Sequence, residues 1–143
     1  MKILTAFVFI IPAVFFAGSA FNKIIRPEQT IRAYRSAAAK SGMRRHELYR
    51  AWQSILIAIC LLASTKLVHF STFWIALAIL HILVPVFFLF RKEADKDVQS
   101  MFESIETQPI TAKGLRNKRL GGAFNLLTFA AWVFSWKDVL AQQ

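Results

Sequence analysis

The stretch that decides the fold is residues 3–22, ILTAFVFIIPAVFFAGSAFN, which contains no Asp, Glu, Lys or Arg. Three further stretches share this property: residues 51–65, 67–90 and 120–136. A helix that crosses the hydrocarbon core of a bilayer needs about 20 apolar residues, within a usual range of about 17–25. The second stretch is short, but Arg50 and Lys66 at its ends can place their charges at the interface while their methylene stems remain in hydrocarbon. The sequence therefore predicts four membrane spans, at about 3–22, 51–67, 70–90 and 120–137.

The composition agrees with this prediction. The chain has 143 residues, of which 56% are hydrophobic, yet its formal net charge is +10. That combination is unusual for a soluble domain unless apolar and basic residues are segregated, as they are here. We expect one membrane domain over residues 1–143 with an all-α fold, an integral membrane four-helix bundle. The first stretch is also longer than the apolar region of about 7–15 residues in a signal peptide, so we interpret it as a retained helix.

The basic residues predict the orientation, because Lys and Arg collect on cytoplasmic loops close to helix ends. Eight lie between the first two spans, at positions 23, 26, 32, 35, 40, 44, 45 and 50, and seven lie between the last two, at positions 91, 92, 96, 113, 116, 118 and 119. Segments 23–50 and 91–119 are therefore predicted to be cytoplasmic, with both termini extracytoplasmic. We expect a bacterial inner membrane protein whose charges orient it and attract anionic lipid headgroups. No nucleic-acid module accompanies these charges, so we expect no nucleic-acid partner.

The first cytoplasmic segment is predicted to contain an amphipathic helix. Pro27 can begin a helix and Gly42 can end one, which gives a helix over residues 27–41. Ile31, Tyr34 and Ala38 share one face of it, so we expect this helix to lie on the membrane surface or on a partner subunit. Ile31, Tyr34 and Arg35 are the candidate interaction residues here.

The second cytoplasmic segment is predicted to extend the third span, because Val98, Met101, Phe102 and Ile105 recur at helical spacing. A basic collar at residues 113–119 then precedes the fourth span. We expect this segment to contact a partner, with the remaining candidate interaction residues being Phe102, Arg116 and Arg119.

No catalytic or metal-binding motif stands out. The three histidines, His46, His69 and His81, are dispersed, and no Asp or Glu falls inside a predicted span. No motif identifies a cofactor. A ligand pocket at the cytoplasmic interface would be bordered by Lys23, Arg50, Gln53 and His81. The single cysteine, Cys60, lies within the second span, and the four tryptophans lie near span ends, where tryptophan usually anchors a helix at the headgroups.

Residues 15–28, FFAGSAFNKIIRPE, resemble the opening of DoxX-type four-helix membrane proteins. That family has a similar F-x-x-G-x-x-K end to its first helix, followed by a proline and an acidic residue. The resemblance implies four spans and a role as a subunit or assembly partner of a larger membrane complex, which in some relatives is redox-active.

Residues 50–57, RAWQSILI, are similar to the start of the second helix in the membrane-associated eicosanoid and glutathione metabolism family. That likeness implies glutathione or lipid chemistry at a cytoplasmic pocket.

We therefore hypothesise, first, an accessory, scaffold or assembly subunit with a membrane-protein partner or a second copy of itself. The second hypothesis is a membrane-embedded enzyme of the glutathione or lipid-metabolising type. The third is an oligomeric transporter.

Overall fold

The computed structural model describes residues 2–90 and 109–141, and the regular structure in these two ranges is all helical. The helices are α1 (Lys2–Ile25), α2 (Pro27–Ser41), α3 (Met43–Ser64), α4 (Ser71–Phe90) and α5 (Ala112–Ala141). The predicted all-α class is confirmed for this part of the chain. The predicted extension of the third span, with Phe102, lies outside the described residues.

The amphipathic helix has the bounds that its end signals predict. Pro27 occupies the first turn of α2, where a missing N–H costs nothing. Gly42 separates α2 from α3 with φ of 73°, a left-handed backbone that residues with a Cβ rarely adopt. The hydroxyl of Thr30 donates to the carbonyl oxygens of Asn22 and Arg26 at 2.9 and 2.8 Å, which ties α2 to the end of α1.

The four long helices pack as two pairs, α1 with α5 and α3 with α4, and α1 also contacts α3. The α1–α5 pair is antiparallel, because Phe9 meets Trp132 and Trp136, whereas Ser19 meets Asn125. The turn at residues 65–70 joins α3 and α4. The second span was predicted to reach residue 67, but α3 ends at Ser64, where its hydroxyl donates to the Leu61 carbonyl oxygen.

The core of the bundle is aromatic, and its composition corrects the prediction for the tryptophans. Trp74, Trp132 and Trp136 are fully buried rather than placed at headgroups, whereas Trp52 is exposed. The Trp132 ring lies 5.1 Å from Trp74 and 5.8 Å from Trp136, measured between centroids. Contacts between such large rings add to the stability that comes from burying their surface.

Two of these indoles also find backbone partners. The Trp132 indole N–H donates to the Phe9 carbonyl oxygen at 3.0 Å, and the Trp74 indole N–H donates to the His69 carbonyl oxygen at 2.8 Å. Pro12 lies inside α1 and has no N–H, so the carbonyl oxygen of Val8, four residues earlier, loses its donor within the helix. The indole of Trp132 links α5 to α1 at the next residue, Phe9.

Within the described residues, one helix is long and apolar enough to cross a membrane: residues Ile3–Ile25, with a mean hydropathy of 2.3. The apolar segment Ser71–Leu83 of α4 is shorter. By length and composition, α1 is the candidate membrane span in this part of the chain, and the other three predicted spans stay predictions.

Candidate functional site

Four helices meet at the end of the bundle where α1 ends and α5 begins, which we call the basic end. The α2 helix packs across this end against α1, α3 and α5. Lys23 comes from α1, Arg50 from α3 and Lys118 from α5, and we call these three residues the cationic cluster. Lys23 lies against α5 at Gly122, one helical turn from Lys118, and the charges of Lys118 and Arg50 both act on Lys23.

Tyr34 of α2 lies in the middle of the basic end. The guanidinium carbon of Arg50 is 5.2 Å from the centre of the Tyr34 ring, and the Lys118 ammonium is 6.0 Å from it. Both distances are within the range of a cation–π contact. One aromatic ring therefore gathers two cations that are distant in sequence.

A single carboxylate, that of Glu47, accompanies these groups among the contacts found in the described residues. The Tyr34 hydroxyl donates to Glu47 Oε1 at 3.0 Å, and Arg50 lies 3.3 Å from the same oxygen. Burial, followed by the charge of Glu47 and its hydrogen bond, raises the pKa of Tyr34 above 10.0. The phenol is thus held protonated as the donor to Glu47.

Among the residues that the structure describes, positive charge is in excess at the basic end. Burial, followed by the charge of Arg50, lowers the pKa of Lys118 below 10.5. The ring of His46 lies edge-on to Tyr34 with centroids 5.0 Å apart, and its Nε2 atom is buried without a hydrogen-bond partner among the described residues. The basic end thus combines half-buried cations with an unsatisfied polar atom.

The close approach of α1 and α5 creates this arrangement. A Cβ atom added to Gly122 would lie 2.7 Å from Cγ1 of Ile24 and 2.9 Å from Cβ of Lys23. Only a glycine permits the two backbones to approach this closely. Lys118 lies four residues before Gly122, so it projects from the same side of α5 and faces the end of α1.

Of the predicted ligand residues, the structure brings Lys23 and Arg50 together and leaves the other two apart. Gln53 is exposed on α3, three residues after Arg50. His81 lies edge-on to Phe15 and Phe16, with centroids 6.4 and 6.1 Å away, and its Nδ1 is 2.8 Å from the Leu77 carbonyl oxygen.

The position of His81 corrects the predicted pocket. Phe16 and Lys23 are seven residues apart, which is roughly 10 Å along a helix. His81 therefore lies about two helical turns from the cationic cluster, with an aromatic pair and a backbone carbonyl as its neighbours.

The predicted interaction residues divide into two groups. Tyr34 belongs to the basic end, and Ala38, on the same face of α2, is buried against the chain's own helices. The chain's own helices therefore cover part of that face, and a membrane or partner contact of α2 stays a prediction. Ile31 and Arg35 are half-buried, whereas Arg116 and Arg119 are exposed on α5.

Arg116 and Arg119 border an open groove beside the basic end, which we call the arginine groove. Its volume is about 500 Å³, and its walls are mostly apolar; the lining residues are Ile24, Ala112, Leu115, Arg116, Arg119, Leu120 and Ala123. Sequence reasoning predicted these two arginines but missed Lys118, whose Lys-x-x-x-Gly spacing to a close-packed glycine was the available signal.

Neither the cationic cluster nor the rest of residues 2–90 and 109–141 contains a group of three His, Cys, Asp or Glu side chains that could hold a metal ion. Comparison with protein-family models, with curated proteins and with solved structures finds no match for this chain.

Proposed function

We propose that this chain is an integral membrane protein whose helices α1, α3, α4 and α5 cross the bilayer, and that it serves as an accessory or assembly subunit of a larger membrane complex. The basic end, with α2, faces the cytoplasm in this proposal, and both termini face the other side. The same hypothesis arises from the sequence, through the basic loops and the resemblance to DoxX-type proteins.

Outward-facing apolar side chains support the membrane location. Each of the four long helices carries them, for example Phe7, Leu56, Leu80 and Leu127, which are 58, 48, 55 and 70% exposed. Soluble monomers rarely expose extensive contiguous apolar surface. In lipid hydrocarbon, the outward-facing apolar side chains of the four helices carry no free-energy penalty from exposure to water. Helices also satisfy their own backbone hydrogen bonds in that environment.

The arginine groove is the observation that carries the accessory role. It is open, its walls are apolar, and two exposed guanidinium groups stand at its rim. A helix or tail of a partner membrane protein that is apolar on one side and carries acidic residues would match both features. Guanidinium–carboxylate pairs would then fix its register.

Native co-purification tests this role. The tagged chain would be isolated from its own host in mild detergent and its co-purifying proteins quantified by mass spectrometry. We expect a membrane protein that is enriched with the native chain and lost with the double variant Arg116→Glu, Arg119→Glu. The matched control is Arg32→Glu, Lys40→Glu, which reverses two exposed charges on α2 and should retain the partner.

Two results would overturn the accessory role. One is that the groove variant and the control capture the same proteins. The other is that the groove variant loses only anionic lipid, which would make the arginine groove a lipid site.

Cysteine labelling tests the orientation separately. In a Cys60→Ser background, Lys66→Cys in the α3–α4 turn should react with a membrane-impermeant maleimide in intact cells. Lys40→Cys, exposed at the end of α2, should react only after the membrane is permeabilised. The reverse pattern, or equal labelling of both positions, would contradict the proposed topology.

A further inference from the structure

The cationic cluster concentrates positive charge beside which the described residues place one carboxylate, that of Glu47. Lys23, Arg50 and Lys118 come from three different helices, and Glu47 contacts only Arg50 among them in the described hydrogen bonds and ion pairs. The charges that act on Lys23 are those of the other two cations. Like charges at such proximity repel one another, and partial burial strengthens that repulsion.

The fold nevertheless fixes the three cations together. Gly122 sets the separation of α1 and α5 at the level of Lys23, and Tyr34 holds the head groups of Arg50 and Lys118 on its ring. A site that is built from four helices and repels itself when empty gains stability when an anion enters it.

We propose that the cationic cluster binds a phosphate monoester group. Such a group carries a charge of about −1.5 to −2 at pH 7 and offers three acceptor oxygens. It therefore balances the net charge of three cations and the Glu47 carboxylate better than a ligand with a single carboxylate would. Arg50 supplies the planar, forked donor that phosphate oxygens accept, and the two ammonium groups supply point charges.

The phosphate could belong to a lipid headgroup or to a soluble phosphoester, since the chemistry recognised is the same. The inference goes beyond the accessory role and does not depend on it, because the arginine groove and the cationic cluster share no residue. Loss of partner capture with phosphate binding intact would refute only the accessory role.

The test uses the full-length chain in phospholipid-free maltoside micelles, with thermal unfolding midpoints as the readout. Inorganic phosphate is compared with acetate at equal ionic strength, and dioleoyl phosphatidic acid is compared with phosphatidylglycerol at equal mole fraction. We expect phosphate or phosphatidic acid to raise the midpoint more than its comparison anion does. Stabilisation by phosphatidic acid alone identifies a lipid source, and stabilisation by inorganic phosphate shows that a soluble one suffices.

Lys118→Gln is the decisive variant, with Lys113→Gln as its matched control, since Lys113 is an exposed lysine in the same helix. The first should weaken phosphate affinity by about tenfold or more, as expected for the loss of one charge-assisted hydrogen bond. The second should leave affinity nearly unchanged. Without ligand, Lys118→Gln should be at least as stable as the native chain, because it removes a repelling charge.

Equal phosphate affinities of Lys118→Gln and Lys113→Gln would overturn the proposal. It would also be overturned if the unfolding midpoint were the same in phosphate as in acetate and the same with phosphatidic acid as with phosphatidylglycerol. If Lys118→Gln fails to fold, Lys23→Gln provides the same comparison from the other side of the site.

Discussion

Replacing Gly122 by alanine tests whether the α1–α5 contact has the geometry described above. The new Cβ would lie 2.7 Å from Ile24 Cγ1, 2.9 Å from Lys23 Cβ and 3.2 Å from the Ala20 carbonyl oxygen. Carbon atoms in contact normally lie about 3.5–4.0 Å apart. The Ile24 side chain can rotate, but Lys23 Cβ and the Ala20 carbonyl are fixed to the backbone of α1, so the two helices must separate.

Gly121 provides an internal control for the magnitude. A Cβ at Gly121 would meet nothing within 4 Å, and both glycines lie within α5. Alanine gains about 1 kcal/mol of helix propensity over glycine at either position. That gain cancels when the two variants are compared. Overpacking at Gly122 should then leave Gly122→Ala less stable than Gly121→Ala by about 1–3 kcal/mol.

The assay is reversible unfolding of the purified chain in detergent, followed by tryptophan fluorescence, because three tryptophans are buried in the core. Gly121→Ala should be as stable as the native chain or more stable, and Gly122→Ala should be less stable. Separation of α1 from α5 should also weaken phosphate binding, since it moves Lys23 away from Lys118. Equal stability of the two alanine variants would refute the close approach.

Three further predictions concern the basic end and the aromatic core. Burial and Glu47 raise the pKa of Tyr34, so its absorbance titration near 295 nm should have a midpoint above 10.0 when the second tyrosine is replaced by phenylalanine. Glu47→Gln should lower that midpoint, and an unchanged midpoint would contradict the contact between Tyr34 and Glu47. Burial and the charge of Arg50 lower the pKa of Lys118 in the folded chain. Between that lowered pKa and 10.5 the unfolded chain therefore binds more protons than the folded chain, so the free energy of unfolding should rise with pH across this window. That rise should be smaller in Lys118→Gln; an equal rise would exclude Lys118 as its source. Finally, Trp132→Phe removes the indole donor to the Phe9 carbonyl oxygen and part of a buried ring. In a denaturant titration it should lower the free energy of unfolding by about 1–3 kcal/mol. A loss well below this range would show that the hydrogen bond and the ring packing contribute little to stability.

Local sequence signals located the helices, although α3 and α5 begin at Met43 and Ala112, before the apolar stretches that predict them. Pro27 and Gly42 determine where α2 begins and ends, because a missing N–H and a left-handed φ act on the backbone at their own positions. The apolar stretches likewise predict the long helices, since side-chain hydrophobicity does not depend on the fold. The same signals predict the four-span membrane topology, which stays a prediction.

Tertiary structure alone decided which face of each helix is buried and which residues form the site. Trp74, Trp132 and Trp136 looked like interfacial anchors, yet they form the core, because two nearly uniformly apolar faces of a helix cannot be distinguished by hydrophobicity alone. Lys118 looked like one member of a basic collar. It joins Lys23 and Arg50 only because Gly122 brings α5 against α1, and a contact between residues about a hundred positions apart depends on packing that no local pattern records.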